Sequence, residues 1–64
     1  MRLTEFTELT ELEFGRRRAD GLLKDLVLVE LGSRTGLEAI DDGVDPKLVW
    51  RALCRELDVP AERW

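Results

Sequence analysis

Three groups of residues in this chain are of types, and at spacings, that could do chemistry. Lys47, Arg51 and Arg55 recur at every fourth position, so on a helix they form one cationic ridge. Such a ridge can pair with phosphates and guanine edges, or with an acidic protein surface. Arg16, Arg17 and Arg18 are consecutive. At a helix start they oppose the macrodipole, each at a cost of a few tenths of a kcal/mol. The upstream carboxylates Glu11 and Glu13 can compensate them, or an acidic partner can. Asp41, Asp42 and Asp45 invite a calcium reading. The EF-hand pattern fails, because the sixth position from Asp41 is Pro46 rather than Gly and the twelfth is Ala52 rather than Glu.

Other chemistry is closed by missing residue types. The 64 residues include no His, Tyr, Asn or Gln, one Ser (Ser33) and one Cys (Cys54). A Ser–His or Cys–His pair lacks its base, and one thiol supplies neither a disulfide nor a structural zinc site. Paired carboxylates are present, but a chain this short has little to shield one and raise its pKa. A domain of this size buries only about 60 % of its unfolded surface, so a deep catalytic pocket would remove packing it needs. The expectation is a protein that is not an enzyme, with no cofactor and no metal.

The elements that must position these groups read as helices. Leu3, Phe6, Leu9, Leu12 and Phe14 recur at near-helical spacing within a Thr-Glu-apolar repeat, with Thr4 as the expected N-cap and Gly15 as the stop. From about Arg17 to Leu31, Ala19, Leu22, Leu23, Leu26 and Val29 share a face. Leu26–Val29 could instead be a strand, but no second strand is evident to pair with it. Leu28 and Leu31 fall outside that stripe. Either this helix is buried on two sides near its end, or Leu28, Leu31 and Trp64 are apolar contacts for a partner. Thr35 and Glu38 form a capping box for a short third helix. Asp45-Pro46 opens the fourth, with an acidic N-cap and Pro at N1. Val49, Trp50, Leu53, Cys54 and Leu57 make its apolar face, where Cys54 reads as a small core hydrophobe.

The predicted fold class is therefore all-α: one compact bundle of three to four short helices over residues 1–64, with the second and fourth helices at the centre. Trp50, Leu53, Leu57, Leu22, Leu23, Leu26, Phe6 and Leu9 are its expected core. The start of the chain lacks the basic-then-apolar order of a signal peptide. The longest apolar run, Leu26–Val29, is far short of a membrane span. With a lone Cys in apolar context, a cytoplasmic location without membrane contact is expected.

The sequence also resembles a small actinobacterial family known only as domain of unknown function 3046. The resemblance is carried by Met1-Arg2-Leu3-Thr4-Glu5-Phe6, Phe14-Gly15, Asp25-Leu26-Val27-Leu28, Glu30-Leu31-Gly32-Ser33-Arg34-Thr35, Glu38-Ala39, Gly43, Asp45-Pro46-Lys47, Val49-Trp50-Arg51-Ala52, Cys54 and Val59-Pro60. The family usually has Trp where this chain has Thr7, and His where it has Leu26. The resemblance implies an intracellular helical protein and assigns it no activity.

Two functional readings follow. One is a non-catalytic protein-interaction module with a protein partner, contacting it through Leu28, Leu31 and Trp64. The other is helix-turn-helix nucleic-acid binding over residues 35–57. There Ala39, Gly43, Val44, Asp45, Val49 and Ala52 have the spacing of that motif and Lys47, Arg51 and Arg55 face outward. The formal charge of −4 weighs against nucleic acid, since its binders carry a basic footprint.

Overall fold

The computed structural model describes residues 1–64. The chain forms four α-helices and a two-stranded antiparallel sheet: α1 Leu3–Phe14, α2 Arg16–Asp25, β1 Val27–Leu28, β2 Arg34–Thr35, α3 Gly36–Asp41 and α4 Pro46–Glu56. Single 3₁₀ turns span Val29–Leu31 and Ala61–Arg63. The fold is mostly helical, not all-α.

The departure lies where the second helix was expected to run on to Leu31. Leu26 still donates its N–H to the Leu22 carbonyl at 3.1 Å, but its own backbone is extended (φ −79°, ψ 115°). Val27 and Leu28 then pair with Thr35 and Arg34, the second strand that the sequence did not reveal. Gly32 and Ser33 make this possible by taking positive φ, 74° and 58°. Ser33 closes the turn by donating to the Leu28 carbonyl at 3.1 Å. The physical gain is burial. A straight helix would carry Leu28 and Leu31 off its buried stripe, whereas the folded-back chain tucks both under α4, 1 % and 9 % exposed.

The core therefore centres on α4 and the hairpin. Val49, Trp50, Ala52, Leu53 and Cys54 of α4 cluster with Leu28, Leu31, Ala39, Val59 and Phe6. Helix α2, expected at the centre, buries only Ala19. Of the expected core, Phe6, Trp50 and Leu53 are fully enclosed, and Leu9, Leu23, Leu26 and Leu57 are packed against the cluster at partial exposure. Leu22 instead lines a surface depression with Arg18 and Asp25.

The helix ends follow local chemistry. Helix α1 starts one residue before Thr4, its expected N-cap, because the Glu5 carboxylate accepts from the Arg2 backbone N–H at 3.2 Å. The expected box at α3 is complete. The Glu38 N–H donates to the Thr35 hydroxyl at 3.2 Å, and the Thr35 N–H to the Glu38 carboxylate at 2.9 Å. Gly36 follows directly, where a Cβ would stand 2.9 Å from Leu23 Cδ2 and 3.3 Å from Val49 Cγ1, so a side chain there would push Leu23 aside and crowd Val49.

Candidate functional site

Helix α4 has two faces, and the sequence sets both. Asp45 caps it by accepting from the Lys47 N–H at 2.9 Å, and Pro46 occupies N1. The inward face is the core just described. On the outward face Leu48, Arg51 and Arg55 lie three and four residues apart and share one exposed stripe, with Lys47 beside it. Leu48 is 51 % exposed.

The three ridge cations differ. Lys47 and Arg51 are exposed and make no ion pair within the chain, whereas Arg55 is held by the Glu30 carboxylate through two side-chain bonds, Nε–Oε2 at 3.1 Å and Nη2–Oε1. That bonding raises the Arg55 pKa still further. Arg55 also lies over the Trp64 ring, 5.5 Å from its centroid. Trp64 donates its indole N–H to the Val59 carbonyl at 2.8 Å and is left 38 % exposed. The terminal indole is thus docked on the body of the protein and extends the stripe beyond Arg55.

The proposed apolar contacts need correction. Leu28 and Leu31 are core residues, because the hairpin turns them inward, and only Trp64 of the three is on the surface. Sequence reasoning missed Leu48. Its signal was available, since it falls off the apolar face of α4 and on the stripe of the arginines. It also missed Glu30 as the partner of Arg55, because contacts across 25 positions leave no local mark.

Arg16, Arg17 and Arg18 stand at the start of α2 on the corner with α1 and make no ion pair. Glu13, one of their expected counter-charges, pairs instead with Arg63 at 3.1 Å. Arg18 lies 6.0 Å from the Phe14 ring centroid. Glu11 shares a surface depression with Arg16 and Arg17. Arg34, meanwhile, binds Asp42 at 2.9 Å and the Leu31 carbonyl at 2.7 Å, tying the hairpin to the end of α3.

Helices α3 and α4 are joined by a tight turn. Gly43 takes φ 91°, the Val44 N–H reaches the Ala39 carbonyl at 2.9 Å, and Ala39, Val49 and Ala52 are fully buried. Trp50 and Cys54, however, point into the core. Trp50 packs 6.3 Å from Phe14, and its enclosed indole N–H has no hydrogen-bond partner. Cys54 is fully buried, and desolvation pushes its thiol from 9.0 up to about 11, so it is protonated and inert at neutral pH. No group of three or more acidic or thiol side chains is arranged to hold a metal. No helix is long and apolar enough to cross a membrane.

Comparison with known proteins adds a family. The model of the family described as "Protein of unknown function (DUF3046)" matches residues 1–62. A protein of Mycobacterium tuberculosis, provisionally named for an envelope-preserving system, is 50 % identical over 36 residues. The match covers 56 % of this chain but only 13 % of that protein, so the chain spans a small fraction of its relative. No solved structure matches.

Proposed function

The chain belongs to the family of proteins of unknown function DUF3046, and we propose that it is a non-catalytic protein-interaction module whose contact surface is the outward face of α4. The observation that carries this reading is the make-up of that face. Leu48, Arg51, Arg55 and Trp64 form one line of apolar and cationic side chains, with Arg55 and Trp64 already held in place by Glu30 and Val59. Arginine and tryptophan dominate protein hot spots, and groups fixed before binding lose less entropy on contact. The Mycobacterium tuberculosis relative supports a modular role, because the matched segment is a small part of a longer chain named for an envelope-preserving system.

The test is affinity capture from the native cell with wild type and Leu48→Asp side by side. Position 48 is exposed, so the variant keeps its fold, which circular dichroism checks. A discrete partner retained by wild type and lost by the variant is the expected result. Equal capture by both overturns the reading.

A second reading, nucleic-acid binding, is favoured by the turn geometry at Gly43 and the free cations Lys47 and Arg51. It is weakened by Arg55 being neutralised by Glu30 and by Asp41, Asp42 and Asp45 beside α4. Fluorescence anisotropy of a labelled duplex at low salt decides it. Binding lost in Lys47→Glu/Arg51→Glu supports this reading, and no binding by wild type removes it.

A further inference from the structure

The outward face of α1 is the charge complement of the outward face of α4. On α1, Glu5, Glu8 and Leu12 are spaced by three and four residues and form one exposed stripe, flanked by Glu11. Leu12 is 85 % exposed, the highest value among the exposed large apolar residues, and nothing in the chain covers it. On α4 the corresponding stripe is Leu48, Arg51 and Arg55, flanked by Lys47. Glu8, Glu11, Lys47 and Arg51 make no ion pair within the chain.

The two stripes run in opposite order: two acids then leucine on α1, leucine then two cations on α4. Laid antiparallel with Leu12 against Leu48, the helices bring Glu8 level with Arg51, Glu5 with Arg55 and Glu11 with Lys47. Each pair is level to within two residues, or about 3 Å of helix rise. In antiparallel helices the flanks on the same side meet, and that places Glu11 beside Lys47. One molecule cannot make this contact with itself, because α1 and α4 turn their other faces to a shared core, Phe14 of α1 against Trp50 of α4.

We propose that the α4 face binds the α1 face of a second copy of this chain in a head-to-tail contact. This rests on the reading of α4 as a contact surface and names its occupant. The contact is heterologous, so each copy keeps one free α1 face and one free α4 face and assembly can continue. Two short helices meeting along about 17 Å fall below the roughly 1,200–2,000 Å² of a stable interface. The association is therefore reversible and rises with concentration.

Sedimentation velocity of the purified chain, from micromolar to near-millimolar concentration, tests it. Wild type is expected to rise in average mass with concentration. Glu8→Arg and Arg51→Glu, each at an exposed site, are each expected to weaken association at least tenfold. Mixing those two variants restores association, since the α4 face of the first meets the α1 face of the second with native charges, and the α1 face of the first meets the α4 face of the second with the charges exchanged. The double variant Glu8→Arg/Arg51→Glu regains association by exchanging the charges. A monomeric wild type overturns the proposal, as does association that neither single reversal weakens. If wild type is monomeric while Leu48→Asp still loses a different chain in affinity capture, self-docking is wrong and the reading of α4 stands. If Leu48→Asp changes neither result, both fall.

Discussion

The helical pair α1–α2 and the unit from Val27 to Val59 are bound to the core to very different degrees. The first contributes Phe6, Thr10 and Ala19 to the buried residues. The second contributes Leu28, Leu31, Thr35, Gly36, Ala39, Val59 and the whole inward face of α4. The pair is a cover seated by few side chains, with free arginines at its corner and an exposed leucine on its outer face. The hairpin, α3 and α4 form the body. Stability is concentrated in the body, which fixes α4 along its length. The outward stripe is thereby presented by a rigid element, as a contact surface requires.

The contrast is best broken by substitutions in each region, read by urea or thermal unfolding. Leu53→Ala in the body should cost about 2–5 kcal/mol, comparable with all that a domain this small holds in reserve. A cooperatively folded Leu53→Ala with a wild-type midpoint would break the contrast outright. Cys54 gives the next effect. Its thiol titrates near 11 in the folded chain and near 9.0 when unfolded. Above pH 9 the unfolded chain releases its proton and the folded chain keeps it, so stability falls as pH rises from about 9 to 11. The loss is about 2 kcal/mol, with no contribution below pH 9. Unfolding midpoints of wild type and Cys54→Ala across that window should converge in slope below pH 9 and part above it.

Thr35→Ala removes the hydroxyl that caps α3 and should cost about 1 kcal/mol. The smallest effect belongs to the cover. Arg17→Glu puts an acid in the first turn of α2, where the backbone dipole favours it, and should stabilise by a few tenths of a kcal/mol. A marked loss of stability in Arg17→Glu would mean that the arginine corner serves the fold.

Much of the body was legible because its signals are local. The Thr35–Glu38 box, the Asp45-Pro46 start and the spacing of Val49, Trp50, Leu53 and Cys54 each act within one or two helical turns. The strand pair was not, because Val27 and Leu28 reveal themselves as β only once Arg34 and Thr35 fold back on them, a contact made by the turn at Gly32 and Ser33. That missed turn left Leu28 and Leu31 open between a two-sided buried helix and a partner contact, and it put α2 at the centre. On the site, the cationic ridge was visible as a repeat of four, but its division into the free Lys47 and Arg51 and the bound Arg55 depended on Glu30, far away in sequence. Leu48 is legible in principle from its place on the stripe of the arginines, but its residue type carries no mark that separates a lone leucine between Lys47 and the apolar pair Val49-Trp50 from the core face.

The central claim is that α4 serves the fold with one face and a partner with the other. Photo-cross-linking in the native cell tests this most directly, with a photoreactive residue placed in turn at exposed positions 48, 51, 20 and 24. The account predicts a discrete adduct from positions 48 and 51 on α4, and none from positions 20 and 24 on α2. No adduct from 48 or 51, or equal yields from all four positions, would contradict it.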